Sequence, residues 1–522
     1  MSQPSTAAPV AKHATLGLAL VAVLAAVQGS DPNIASVALA EAVRGLDITN
    51  RSLAASISTL ALAGTAITTG LLADTLGRRR VLQVALVVSI VGDLMVFAAP
   101  DATFYLLGRA IAGIGLGAVY GAGFAYVRAL APPGKLAATM GLWTAMLMVA
   151  TLLLTFIGGG LSQVDWRTAY LVIPITCAVC FFLVPILLPK EPRIKLPSFD
   201  VLGQVLLGLG VIALLVGISD LGKSLTNPIA WGGIVIGLVL LTGWFIWQSR
   251  NPNHFFPVSL FKNPVFLAAI TAGFIYNFGN SIVFLQAANL WQYVNGLKTL
   301  EVSLWQLPFL ISGMLAGLIV GRRMSKGLSA GIVILMGAVI SAVGVVLLGL
   351  FHGGTSLWAF IPGLVLSGAG FVVASVPYGA LILKEAPAKF FGPVASSRLT
   401  FGQFFYALGM AASTIVIDKL TAGGTVARLE AAGVPPTQVG TALDAVTAYA
   451  AQSTNPTTSQ GKEALADAVQ SYGTGFAVAM YALAVLLLAA GVVGFLLLKR
   501  AGAAGEDTPE SVKHPHPSTS QG

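Results

Sequence analysis

The sequence predicts an all-α integral membrane protein with fourteen membrane-spanning helices. Three observations predict it. First, only 9% of the 522 residues are charged and 56% are hydrophobic, with a mean hydropathy of +0.85, whereas soluble domains carry about 25% charged residues. A surface this short of charge cannot be covered in water, so soluble enzymes, nucleic-acid binders and disordered chains are excluded together. Second, mostly apolar stretches of about 20 residues, the length needed to span a bilayer, recur between polar breaks. They lie near 15–40, 52–73, 81–99, 103–127, 137–161, 168–189, 200–218, 229–248, 265–294, 301–321, 328–350, 356–382, 396–418 and 475–498. Third, with the N-terminus placed in the cytoplasm, the loops on that side hold 19 Lys and Arg against 8 on the other. That bias predicts a multi-pass plasma-membrane (inner-membrane) protein with both termini cytoplasmic, and it aims the net charge of +9 at anionic lipid rather than at an acidic partner.

Taken in order, the first segment follows Lys12 and His13 and so begins like a signal peptide. Its apolar run continues past Asp31, and a train of similar segments follows, so it reads as a retained helix. Segments 2 and 3 are joined through Gly77-Arg78-Arg79-Arg80, and segments 10 and 11 through Gly321-Arg322-Arg323 and Lys326-Gly327. The recurrence divides the chain into a six-helix N-terminal bundle over 15–189, two inserted helices over 200–248 and a six-helix C-terminal bundle over 265–498. Cys177 and Cys180 lie inside the apolar sixth segment and read as helix packing, not as a disulfide or metal pair. The link between segments 13 and 14 repeats Val439, Leu443, Val446 and Ala450, then Leu465 and Val469, at helical spacing. It predicts an amphipathic helical hairpin over 421–472 on the outer face. Residues 1–14 and 499–522 read as cytoplasmic tails, the second of them disordered.

Charges inside lipid are independent pointers to function. A charged side chain at mid-bilayer costs at least about 2.5–3.5 kcal/mol, so it is kept for a partner or a task. Asp31, Asp93 and Arg109 are the charges read as deep. At 1.5 Å per residue Asp93 and Arg109 both fall about 9 Å below the outer edge, so they are expected to pair across a short hairpin. One arginine neutralises one carboxylate, which leaves Asp31 as the expected titrating group, modulated by Arg109, with Pro32 loosening the helix beside it. Segment 9 places Asn277, Asn280, Phe284, Trp291 and Gln292 on one face within about 120° of arc. With Asn33 of segment 1 they are the expected lining of a substrate cavity, inter-helix hydrogen bonding being the competing explanation. Counting Asp31, Asp93 and Arg109, that cavity favours lipophilic cations or neutral molecules over anions.

The string Gly70-Leu71-Leu72-Ala73-Asp74-Thr75-Leu76-Gly77-Arg78-Arg79-Arg80 resembles the signature G-x-L-a-D-r-x-G-r-r of the major facilitator superfamily. The resemblance implies that Gly70, Asp74, Gly77 and Arg78 form a conformational latch on the cytoplasmic side, within the two-bundle fold of that superfamily. Asp31-Pro32-Asn33-Ile34-Ala35-Ser36-Val37-Ala38-Leu39 is similar to the l-D-x-T-I-v-N-v-A-L-P string of fourteen-helix drug:proton antiporters, with Asn33, Ser36 and Ala40 standing at its Thr, Asn and Pro positions. Leu106, Arg109, Gly113 and Gly117 resemble the L-x-x-R-x-x-q-G-x-g-a pattern, whose arginine the resemblance ties to proton transfer. At the end of segment 5 the antiporter G-P-x-l-G-G becomes Leu154-Thr155-Phe156-Ile157-Gly158-Gly159. The diglycine Gly158-Gly159 remains while the Gly-Pro pair associated with antiport is missing.

The expectation is therefore a proton-coupled secondary transporter, not an enzyme, exporting lipophilic cationic or neutral drugs or amphipathic metabolites. Its expected partners are that small-molecule substrate, protons and membrane lipids, with the chain monomeric and no nucleic acid bound. No G-x-x-x-x-G-K-[ST] loop is present, so ATP is not expected as energy source. No cofactor and no metal are expected. A facilitator for a specific metabolite or lipid is the alternative, and a non-transport membrane sensor or assembly partner working through 421–472 is the second.

Overall fold

In the computed structural model the described residues are 14–48, 51–191, 193, 200–297, 299–352, 356–435, 438–440 and 459–506. Fourteen helices among them are long and apolar enough to cross a membrane. We number them α1 (Ala14–Gly45), α2 (Arg51–Leu76), α3 (Arg78–Phe97), α4 (Ala102–Gly123), α5 (Leu136–Ser162), α6 (Val172–Leu187) and α7 (Val201–Leu221). Then follow α8 (Pro228–Arg250), α9 (Pro264–Tyr293), α10 (Leu307–Met324), α11 (Ala330–Leu350), α12 (Ile361–Glu385), α13 (Phe391–Ala431) and α14 (Ser459–Glu506). No strand occurs among the described residues. Several starts are capped by the side chain that precedes them: Asp101 accepts from the Phe104 N–H at 2.8 Å, Asp200 from Gly203 at 2.9 Å and Asn263 from Val265 at 2.8 Å.

The helices sort into two cores. One is built mainly from α1 to α6, with Leu86, Val119, Trp143 and Cys177 at its centre; the other is built mainly from α9 to α14, around Phe266, Trp291, Phe371 and Met480. Small residues set the spacing, as expected where apolar lipid gives helices no hydrophobic reason to associate. A Cβ added to Gly92 of α3 would lie 2.2 Å from the Ala112 backbone of α4, and one on Gly344 of α11 would lie 2.3 Å from that of Ser367 in α12. The inserted pair packs on itself through Gly217 and Gly237 and leans on the rest through Gly64 of α2, which faces Ile212, and Gly222, which faces Ala411 of α13. Outer faces are apolar, with Phe182, Ile186, Val239 and Val485 between 65% and 70% exposed.

The two halves approach most closely toward one end. There Gly70 of α2 meets Gly392 of α13, and Gly141 and Ala137 of α5 meet Gly317 and Gly321 of α10. This is the end that carries the α2–α3 and α10–α11 turns, whose glycines Gly77 and Gly327 adopt left-handed φ of 99° and 105°. Matching left-handed glycines at matching places in the two halves are a geometric trace of the repeated strings. We call this the Gly77 end.

Two boundaries differ from expectation. The segment assigned to a separate outer hairpin begins as the unbroken end of α13 and finishes as the unbroken start of α14. These arms pack through Leu429 and Ala464, and Arg428 donates to Gln470 at 2.6 Å. At 1.5 Å per residue the two helices are about 62 and 72 Å long, far beyond the hydrocarbon thickness. Leu443, Val446 and Ala450 lie outside the described residues. At the C-terminus α14 continues helical to Glu506, eight residues into the expected disordered tail, whose remainder lies outside the described residues.

Candidate functional site

Close approach of small residues in α2, α3 and α4 creates a buried charge cluster. Gly113 of α4 lies against the Ser58 backbone of α2, and Gly92, Gly108 and Gly115 bring α3 and α4 together. Arg109 is thereby held between Asp31 and Asp93, with exposures of 0%, 2% and 0% for the three. Arg109 Nη1 donates to Asp31 Oδ1 at 2.6 Å and Nη2 to Oδ2 at 3.0 Å, a bidentate pair. Ser58 Oγ donates to Asp31 Oδ2 at 2.9 Å. The guanidinium also sits over the Tyr170 ring at 5.5 Å, and the Tyr170 hydroxyl meets that of Tyr105 at 2.8 Å.

The pairing is the reverse of the expected one. Asp31, expected to be left over, takes both guanidinium forks. Asp93, expected as the partner, touches Arg109 at 3.8 Å, and neither of its oxygens accepts a hydrogen bond from a described residue. The three residues do come together, but position along a helix does not fix its rotation. Gly113 lets α2 close on α4, and Ser58 then supports Asp31.

The expected cavity lining separates. Asn33 is exposed on α1 and donates to the Gly29 carbonyl at 3.4 Å. Asn277 is half-buried, donating to the Gly273 carbonyl at 2.8 Å and facing Gly402. Asn280 is half-buried and bonded to Tyr276, Phe284 is half-buried and meets Phe309 edge-on at 6.4 Å, and Gln292 is half-buried. Trp291 does not belong with them: it is 0% exposed and packs edge-to-face on Phe360 at 5.8 Å, in the core of the second half. Near the end of a 30-residue helix, the face that starts beside α13 has come under the Leu357–Phe360 turn. Inter-helix bonding accounts for another polar position: Gln286 donates to Ser413 at 2.9 Å and accepts from Tyr472 at 3.1 Å. Gly158 packs on Ile34 of α1, while Gly159 has open space and α5 stays helical through both.

At the Gly77 end, Asp74 Oδ1 accepts from Arg78 Nε at 3.2 Å and Nη2 at 2.8 Å. Its Oδ2 accepts the Gly392 backbone N–H at the start of α13, the positive end of that helix. Gly70 is needed because any Cβ there would meet the Gly392 carbonyl oxygen at 2.6 Å. Arg78 and Arg128 both lie over the Phe391 ring, at 4.9 and 5.1 Å.

A further charge was undervalued by reading Arg109 as the one deep base. Arg398 of α13 is 9% exposed and sits between the halves. It donates to the Tyr120 hydroxyl of α4 at 2.7 Å and to Ser375 of α12 at 3.2 Å, beside the rings of Phe124, Trp143 and Tyr378. The available signal was an arginine inside an apolar segment with no acid within two helical turns.

The sequence that builds this paired-half bundle matches the family model described as Major Facilitator Superfamily over residues 16–412. The chain belongs to that superfamily. Among curated relatives, the transporter is 25% identical over 446 residues to the multidrug efflux pump LfrA of Mycolicibacterium smegmatis, covering 84% of this chain and 87% of that one. It is 28% identical over 281 residues to the uncharacterized MFS-type transporter Rv1877 of Mycobacterium tuberculosis, covering 51% of this chain and only 40% of the relative. A probable actinorhodin transporter of Streptomyces coelicolor is 26% identical over 334 residues, with 60% and 56% covered. Among solved structures, the proton:xylose symporter XylE superposes with a TM-score of 0.58 at 13% identity, covering 93% of this chain and 95% of that one. The human organic anion transporter MFSD10 superposes with a TM-score of 0.58 at 16% identity, covering 92% and 99%. At such identities the structures establish the fold alone.

Proposed function

We propose that this transporter is proton-coupled and moves amphipathic organic compounds across the plasma membrane by alternating access, with the Gly77 end in the cytoplasm. The observation that carries the reading is the uneven charge count at Arg109: two buried acids share one guanidinium, and Asp93 holds the weaker contact. A site with two carboxylates and one arginine is neutral with one proton aboard. Asp93 takes that proton, because Asp31 keeps its two forks and its serine. α2 then links the proton site to the latch, since it carries Ser58 against Asp31 and, about 24 Å further along at 1.5 Å per residue, Asp74 against α13. The closest approaches of the halves lie at the Gly77 end, which supports a state closed toward the cytoplasm.

The test uses purified transporter in proteoliposomes and three labelled probes with one ring system and fixed charge: naphthalene-2-sulfonate, naphthalene-2-sulfonamide and trimethyl(2-naphthylmethyl)ammonium. An imposed pH gradient should accelerate flux of at least one probe, and Asp93→Asn should abolish the acceleration while leaving exchange at equal pH. Equal acceleration in Asp93→Asn would refute proton carriage by this residue. A facilitator is the second reading, favoured by an α5 that runs helically through Gly158-Gly159 without the antiport Gly-Pro pair. It expects no response to the gradient in the wild type.

A further inference from the structure

The geometry points to Arg398 as the anchor for an anionic group on the transported molecule, so that the substrate class is an amphipathic organic anion with a flat apolar body. The inference rests on the transporter reading above and names its substrate. Arginine stays protonated in proteins and presents five donors in a fork that fits carboxylate, phosphate or sulfonate. At Arg398 that fork meets only neutral acceptors, the hydroxyls of Tyr120 and Ser375, and its Nε has no partner among the described residues. No carboxylate among the described residues forms an ion pair with it. The contrast with Arg109, which engages two acids, is plain.

The surroundings favour an organic anion over a bare ion. Phe124, Trp143 and Tyr378 place ring faces 4.9 to 5.5 Å from the guanidinium carbon, which offsets part of the cost of burying the charge and offers flat apolar surface beside it. The position also suits transport. Tyr120 belongs to α4 and Phe124 caps its C-terminal end, Trp143 belongs to α5, Ser375 and Tyr378 to α12 and Arg398 to α13, so the group straddles the seam along which the halves move. A ligand bridging that seam is released when the halves part. Adding Arg398 to the count removes the excess negative charge that favoured cations. The competing role is a pin that merely ties the halves together through Tyr120. A pin makes no distinction between an anion and a cation of equal shape.

The decisive experiment measures binding of the same three naphthalene probes to full-length protein by thermal stabilisation, at one pH and with no gradient. The sulfonate should bind the wild type at least tenfold more tightly than the sulfonamide or the quaternary ammonium. Arg398→Met should weaken the sulfonate about tenfold or more, as loss of charge-assisted hydrogen bonds implies, and leave the sulfonamide unchanged. Arg398→Lys, which keeps the cation should the Met variant fail to fold, should retain part of the preference. Equal binding of the three probes by the wild type, or a sulfonate preference unaltered in Arg398→Lys and Arg398→Met, overturns the assignment. Either result leaves gradient-driven flux untouched, so this inference and the transporter reading fail separately.

Discussion

Asp74→Asn removes the negative charge from a contact between α2 and the N-terminus of α13. Two interactions meet on that carboxylate, and only one of them changes when the halves part. The Arg78 forks at 3.2 and 2.8 Å come from the next turn of the chain, so a relative movement of the halves should leave them in place. The Gly392 N–H crosses from one half to the other and is lost on opening. A hydrogen bond to a charged group contributes about 1.5–3 kcal/mol, and an anion at a helix N-terminus adds about 0.3–1 kcal/mol. With Asn in place, either the side-chain amide turns its donors toward Gly392 or its oxygen serves Gly392 while the amide faces Arg78, so one contact is always donor against donor. The closed state should therefore lose about 2–4 kcal/mol relative to the open one, which is roughly a thirty- to seven-hundredfold fall in the closed-to-open ratio at 1.4 kcal/mol per factor of ten. Spin labels on Lys135→Cys and Lys326→Cys, in a background with Cys177 and Cys180 replaced by alanine, report the gap. Both lysines are exposed and flank the Ser325–Ala138 contact, where Ser325 Oγ accepts the Ala138 N–H at 2.9 Å. Pulsed dipolar distances should shift to longer values in Asp74→Asn. Superimposable distributions for Asp74→Asn and wild type would refute the argument.

The other substitutions separate structural from coupling roles by thermal unfolding of the purified protein. Asp31→Asn breaks a buried bidentate pair and should lower stability by about 1.5–3 kcal/mol; it should also end the response to a pH gradient, because Arg109 then turns to Asp93. Asp93→Asn removes a buried charge that accepts no hydrogen bond from a described residue, so it should be neutral or stabilising while ending the same response; a loss matching that of Asp31→Asn would contradict the assignment of roles. Trp291→Ala should cost about 3–5 kcal/mol, as for large buried aromatics, with binding of naphthalene-2-sulfonate unchanged. Weakened binding at preserved stability would return Trp291 to the cavity.

The spans were legible because lipid imposes a length and a composition on each of them, and Asp31, Asp93 and Arg109 stood out because charges inside such spans are rare. Their pairing was not legible. It depends on which glycine lets which helices touch, and Gly113 against Ser58 is a contact between residues more than fifty positions apart. Arg398 is absent from the charges read as deep, since the apolar stretch is read from residue 396 whereas α13 starts at Phe391, which sets the arginine two turns inside the helix. Trp291 went astray for a related reason: a fixed face drawn along α9 ignores the changing neighbours of a 30-residue helix. The link after residue 418 read as a surface hairpin because its alanines, threonines and glycines lack the hydropathy of a span. Helical continuity has no such requirement once a helix has left the bilayer.

The charge count now constrains the sign of coupling. Asp31 and Asp93 oppose Arg109 and Arg398, so the empty, unprotonated transporter carries no net charge in these four groups. An anion on Arg398 makes the count negative by one, and a proton on Asp93 restores it, so loaded-with-both and empty-of-both are equivalent electrostatically. For a cation the equivalent states are cation bound without the proton and proton bound without the cation. Closing a low-dielectric site around unbalanced charge is costly, which favours reorientation in matched states. By this argument the proposed anionic substrate would travel with a proton, whereas both matched states of a cation would close around one unbalanced positive charge.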